Sequence, residues 1–438
     1  MVGVRYTGVK LQQERGGTVK KFIILWIGEL ISSIGSGMTA FAVSIYIYQL
    51  TGSVTLVSVA TLLAFLPTIL LSPVGGILAD RYDRRLMMIL GDSFSVIGLL
   101  FIYICMQTGN GGVVPIFIGV TISSIFISLL EPAYRATVTD LLSEEEYARA
   151  SSLVQIAANS KYLVSPFIAG LILSVADIRT ILIIDMATFF VTVFTIALVR
   201  RGIYIPKPNK ESLNFFREFK EGMKSITSNK GVSSLVVLMG FMCFFIAFIQ
   251  TLMTPMILSF SDAKTLGIME SVSAIGMLVG SVIIGILNIK KNYSRILTIS
   301  LILAGIFMAL TGTTTSIWWI IIFCMLFFTA LPFANTCADV LVRIKIPNDV
   351  QGRAWGMISM LTQMGFVVAY AICGPLADHV FEPMLMENGI LSGSMGQIIG
   401  IGKGRGVGLM LIIAGIVMVI FAFIFGFKKS MREIELEV

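Results

Sequence analysis

Apolar residues fall in twelve long runs separated by short polar segments: approximately 22–48, 54–79, 86–106, 113–138, 151–175, 180–199, 234–258, 266–287, 296–313, 317–340, 355–377 and 407–427. A helix needs about 20 apolar residues to cross a bilayer. Each run is long enough, so the pattern predicts an all-α integral membrane protein with twelve transmembrane helices. The even count puts both termini on the same side.

Composition agrees. Only 13% of the 438 residues are charged and 56% are hydrophobic, against about 25% charged in a soluble domain. The net charge of +7 is distributed unequally. The N-terminus and the segments after the even-numbered runs hold 26 Lys and Arg, the opposite loops four. Basic loops stay in the cytoplasm, so both termini are expected there. This one-sided charge is no argument for nucleic acid. The first run, 22–48, is too long for a cleavable signal peptide and reads as a span. The five cysteines lie inside apolar runs with no CxxC pair, so neither disulfides nor a metal site are expected. With one His and no cysteine pair, no catalytic constellation can be assembled, and an enzyme is not expected.

The longest basic segment, 200–233, divides the chain into two six-helix halves, 1–199 and 234–438. Within it Leu213, Phe216, Phe219, Met223 and Ile226 recur at helical spacing among Arg217, Lys220 and Lys224. That predicts a linker carrying an amphipathic helix on the inner membrane surface. The halves echo each other: GILADRYDRR after run 2 has a counterpart in GILNIKKNYSR after run 8, and Arg149 after run 4 pairs with Arg353 after run 10.

The turn between runs 2 and 3 packs Asp80, Arg81, Asp83, Arg84 and Arg85 into six residues after Gly76. This Gly-x-x-x-Asp-Arg-x-x-Arg-Arg pattern resembles the signature loop of the major facilitator superfamily, with Asp83 where many members carry glycine. SPFIAG in run 5, with Pro166 and Gly170, resembles the bend of the superfamily's exporters. Asp185 in LIIDMATFF, GRAWGM at 352–357, GPLAD at 374–378 and TGS at 51–53 are similar to the macrolide-efflux branch of its drug:proton antiporters. The resemblance implies two pseudo-symmetric six-helix halves with a substrate site between them. It also implies that Gly76, Asp80, Arg81, Arg84 and Arg85 form a cytoplasmic gating loop, and that Asp185, Pro166 and Gly170 serve structure or an outer gate. A bacterial cytoplasmic membrane is the implied location.

Ionisable groups inside a bilayer cost at least about 2.5 kcal/mol each and call for a reason. Glu131 and Lys161 lie at equal depth in runs 4 and 5, which are antiparallel neighbours, and Arg135 follows Glu131 by one helical turn. The expected constellation is a Glu131–Lys161 ion pair with Arg135 beside it. It serves either as a proton site, in which Glu131 alternates between a proton and its cationic neighbours, or as a permanent bridge. The matching positions in the second half are Asn335 and Asp339, so this charge is not duplicated. Glu29 lies in run 1, where the resemblance implies a cavity-lining helix; it either meets substrate or proton or bonds a neighbouring helix. Gly35 and Gly37 would let that helix bend or pack closely. Asp92 and Glu270, near helix ends, read as snorkelling structural residues. The outward, Gly-rich segment 378–406 lacks the spacing of a phosphate loop and reads as a flexible loop.

The expected activity is export of a small amphipathic compound, such as a macrolide-like drug or secondary metabolite, by proton antiport with alternating access. A siderophore exporter and a lysophospholipid flippase are alternatives on similar chains. A transport-inactive scaffold or sensor is the alternative of another class. Expected partners are the substrate, protons and the bilayer, in a monomer without cofactor.

Overall fold

The computed structural model describes residues 2–142, 146–200, 223–224, 226–228, 230–287, 291–346 and 351–426. No strand occurs among them. The helices are α1 Val2–Thr51, α2 Val54–Arg81, α3 Arg84–Gln107, α4 Val113–Leu141, α5 Tyr147–Leu163, α6 Ser165–Leu173 and α7 Ile178–Arg200. They continue with α8 Lys230–Leu258, α9 Ala263–Leu287, α10 Tyr293–Thr313, α11 Ile317–Lys345 and α12 Gln351–Leu376. A π-helical turn, Ala377–Phe381, then leads through α13 Glu382–Leu385 and α14 Met395–Ile399 to α15 Arg405–Gly426. Twelve spans among the described residues are long and apolar enough to cross a membrane, one for each apolar run.

Proline shapes the fifth span. Run 5 is built of two helices, broken at Val164 just before Pro166 at the start of α6. Pro166 has no N–H to continue the α5 ladder. Ser165 uses the break to donate its hydroxyl to the Ile34 carbonyl of α1 at 2.9 Å.

The chain forms two compact units, one of Met1–Val43 with Leu63–Lys210, the other of Ser44–Leu62 with Glu211–Val438. In the first unit α3 packs along α4 and α7. Gly119 of α4 makes the α3–α4 contact close, since a methyl there would lie 2.5 Å from the Gly98 carbonyl. Small residues at such crossings let helices approach where lipid offers no hydrophobic drive. Beneath the 80–84 turn lies an apolar core that includes Phe22, Leu25, Met87, Met88, Ala133 and Tyr134. In the second unit α10 packs along α11 and α15. The third span thus packs on the fourth and sixth in each unit.

The segment 378–406 is built rather than loose. Gly400, Gly402 and Gly404 take positive φ, which lets the chain turn sharply before α15. Glu382 accepts N–H bonds from Gly404 at 3.0 Å and Val407 at 3.3 Å. The buried Arg405 donates to the Ile399 carbonyl at 2.9 Å, above a small core of Leu385, Ile399 and Leu409. Composition alone suggested flexibility, and side-chain capping supplies the order. Of the apolar positions of the amphipathic pattern in the 200–233 linker, only Met223 and Ile226 are among the described residues.

Candidate functional site

Glu131 sits ten residues before the end of α4, about 15 Å along the helix. Its Oε1 accepts from Arg135 Nη2 at 2.8 Å and from Nε at 3.1 Å. The side chains are 67% and 70% exposed. The expected pairing with Lys161 is not made: among the described residues the ion pair of Glu131 is with Arg135. The reason is local. Four residues on one helix already bring the guanidinium to the carboxylate. Lys161 is exposed on α5 with its carbonyl against Gly37 of α1, and its charge acts on Asp185 of α7.

Asp185 is 5% exposed and accepts the Thr39 hydroxyl of α1 at 2.6 Å. This contact requires Gly35, because a methyl there would lie 2.6 Å from Asp185 Oδ1 and from Thr188 Oγ1. α1 is a single unbroken helix through Gly35 and Gly37, and both glycines sit at close contacts with neighbouring helices. Pro166 and Gly170 are both buried in α6.

Glu29 lies one turn before Ser33, whose hydroxyl reaches Glu29 Oε1 at 3.5 Å. Its Oε2 is buried with no hydrogen-bond partner among the described residues. Glu29 and Glu131 are within electrostatic reach of each other. So are Glu29 and Asp92 of α3.

Asp92 is the residue that sequence reasoning misjudged. It does not snorkel. It is 5% exposed, its Oδ2 has no hydrogen-bond partner among the described residues, and its carboxylate interacts with those of Glu29 and Asp185. The Tyr134 hydroxyl of α4, also buried and without a hydrogen-bond partner there, lies within range of Glu29. A signal was present: Met88, Gly91, Asp92, Ser95, Gly98, Leu99 and Ile102 form the buried stripe of α3 at helical spacing. Asp92 lies on that stripe, which faces protein and not lipid. Glu270 on α9, half-buried, is within electrostatic reach of Cys324 of α11.

The charged turn is tied to the helices around it. Asp83 caps α3 by accepting the Arg85 N–H at 3.1 Å, in an extended conformation open to any residue, so glycine is not needed there. Arg84 donates Nε to the Ala79 carbonyl at 3.1 Å and Nη1 to the Ala136 carbonyl at 3.2 Å, joining the ends of α2 and α4. Arg85 is 3% exposed and Arg81 is exposed. A methyl at Gly76 would meet nothing within 4 Å. The side chain of Asp80 lies outside the described residues.

The first unit thus gathers Glu29, Asp92, Glu131 and Asp185 from four helices, with Arg135 and Lys161 as the membrane-depth cations. Its similarity to known proteins gives the chain its family. The profile of the Major Facilitator Superfamily matches residues 25–370. The chain is 28% identical over 374 residues to macrolide efflux protein A of Streptococcus pyogenes, covering 82% of this chain and 90% of that one. It is 20% identical over 358 residues to the enterobactin exporter EntS of Salmonella choleraesuis, covering 81% and 85%. The crystal structure of the nucleoside transporter NupG superposes with a TM-score of 0.73 at 14% identity, covering 93% of this chain and 100% of that one. Twelve spans in this packing, under a profile that covers most of them, make the chain a member of the Major Facilitator Superfamily.

Proposed function

We propose that the protein exports a small amphipathic compound across a bacterial cytoplasmic membrane by proton antiport. The observation that carries this reading is the exposed Glu131–Arg135 pair inside a spanning helix, in the last third of Val113–Val138. Such a pair is costly against hydrocarbon, and charged groups at this depth line water-filled paths. Glu131 exchanges a proton for its contact with Arg135, and Glu29 beside it senses the change in charge. The 26 to 4 distribution of Lys and Arg supports cytoplasmic termini and a cytoplasmic 80–84 turn. The macrolide-efflux relative supports an apolar or amphipathic substrate. The enterobactin-exporter relative keeps a siderophore as the second reading.

The test uses inside-out vesicles holding an imposed inward-acid gradient and a pH-sensitive dye. Macrolides, cationic dyes, siderophores and lysolipids are added in turn. One class is expected to collapse the gradient with the native chain and to fail with Glu131→Gln. If folded, inserted protein moves no protons with any of them, antiport is wrong.

A further inference from the structure

We propose that Asp378 is a clasp that holds residues 44–62, the turn end of the α1–α2 hairpin, within the second unit, and that its release frees this end during the transport cycle. Residues 44–62, the turn end of the hairpin, belong to the second unit, while the remainder of α1 and α2 belongs to the first. Something must fasten this end, and Asp378 does so across 325 residues of sequence.

The fastening is a helix cap supplied by another helix. α2 begins at Val54, so its first N–H groups have no carbonyl partner of their own and carry the positive end of the helix dipole. Asp378 Oδ1 accepts the Val54 N–H at 3.0 Å. Its Oδ2 accepts the Thr55 N–H at 2.9 Å and the Ser53 hydroxyl at 2.6 Å. Ser53 Oγ in turn accepts the Leu56 N–H at 3.3 Å. One carboxylate and one hydroxyl therefore satisfy the first turn of α2. One helical turn earlier on α12, Gly374 meets the same hairpin: a methyl there would lie 2.5 Å from Thr55 Cα and run into Ser58 Oγ. Only glycine allows the two backbones to come this close.

The π-helical turn at 377–381 carries Asp378 to this position. Four residues on, Glu382 makes the equivalent cap on α15, at Gly404 and Val407. Two carboxylates one turn apart thus hold the starts of two different helices. The two ties differ in what lies behind them. Glu382 and α15 both belong to the second unit by sequence and by packing, whereas the helix held by Asp378 crosses into the first unit at Leu63. A polar cap suits a reversible tie. When it opens, water satisfies the freed N–H groups of α2, and Ser53 keeps its bond to Leu56. Neither a substrate nor a coupling ion enters the clasp, so it stands or falls independently of proton antiport.

The experiment reads exposure at Ser58, which is fully buried under the clasp. Ser58→Cys is made in the full chain, reconstituted in nanodiscs so that both faces are reachable, and labelled with a hydrophilic maleimide. Mass spectrometry reports each site separately. Labelling at position 58 is expected to be slow in Ser58→Cys alone. Adding Asp378→Asn, which keeps one acceptor oxygen and loses the charge, is expected to speed it about tenfold, the size of a lost helix cap. Adding Gly374→Ala instead, which wedges the hairpin off α12, is expected to speed it as well. Cys324, buried elsewhere in the second unit, is the internal control and should not change. An unchanged rate at position 58 in both variants overturns the clasp. So does a parallel rise at Cys324, which would mean general loosening. If Asp378→Asn fails to fold, Gly374→Ala and Ser53→Ala carry the same test, and unchanged labelling in those two overturns it equally.

Discussion

Glu131 and Arg135 face each other across one turn of α4 at 2.8 Å, both about two-thirds exposed. An ion pair this open contributes about 0–1 kcal/mol to stability. Its presence inside a span therefore needs an explanation other than holding the fold together. Glu131→Gln is expected to leave the thermal unfolding temperature in detergent nearly unchanged while abolishing proton-driven export. Export that persists at several pH values would remove Glu131 from the coupling path. A large loss of stability would mean the pair is structural.

Asp92 presents the reverse case, a buried acid with one oxygen lacking any hydrogen-bond partner among the described residues. An unpaired carboxylate in a buried site carries a desolvation cost that a neutral group of the same shape largely avoids. Asp92→Asn is expected to unfold at the same temperature as the native chain or higher, and to shift the pH dependence of transport through its electrostatic interaction with Glu29. Destabilisation by more than about 1 kcal/mol would show that the carboxylate makes a bond the fold depends on.

Gly35 is where α1 and α7 come closest around Asp185. Gly35→Ala places a methyl 2.6 Å from two polar side-chain atoms. Overpacking of this kind costs about 1–3 kcal/mol. Folded yield and unfolding temperature should fall together, and normal values for both would mean that Asp185 and Thr188 move aside freely.

Asp80 tests the charged turn. Arg84 already bonds two carbonyls and Arg85 is buried, so the turn is a built element and not a solvated loop. Asp80→Asn is expected to lower turnover at least several-fold while leaving substrate binding in detergent near normal. Lost binding would contradict a gating role.

Asp262, in the turn before α9, accepts the Thr265 N–H at 2.8 Å. This backbone bond, with help from the Thr265 hydroxyl, holds its carboxyl below the usual carboxylate range. A lowered pKa stabilises the fold above the unfolded value of about 3.9, and that contribution is lost as pH falls through the folded value. Asp262→Ala should therefore cost about 1 kcal/mol near neutral pH. The gap to the native chain should narrow as pH drops from about 5 toward 2. A gap independent of pH would rule out the carboxylate as its source.

How much of this was legible along the chain depended on the range of the interaction. The twelve spans were, because the length of an apolar run against the bilayer is a local quantity. The Glu131–Arg135 pair was, because helical geometry sets i to i+4 neighbours without reference to the rest of the fold. The bend at SPFIAG was legible only through its resemblance to the exporters' motif. Lys161 was assigned the wrong partner because adjacency in sequence and equal depth do not say which face of a helix meets which neighbour. Asp92 was misjudged for a related reason: position along α3 gives depth, but burial depends on the helices packed around it. The segment 378–406 looked loose because glycine content reports backbone freedom and is silent on a carboxylate arriving from another helix.

The sequence by itself determined that the chain holds twelve spans long enough to cross a membrane, roughly where each lies, and which loops carry the positive charge. These are properties of hydropathy and helical rise, summed over neighbours in the chain. Only the tertiary structure decided that Asp92, Asp185 and Glu29 share one interior, that Thr39 is the partner of Asp185, and that Asp378 caps a helix 325 residues away. Each of these depends on the rotation and crossing of packed helices, set by small residues such as Gly35 and Gly374 at the contact points. That information is spread over the whole fold and is absent from any one stretch of it.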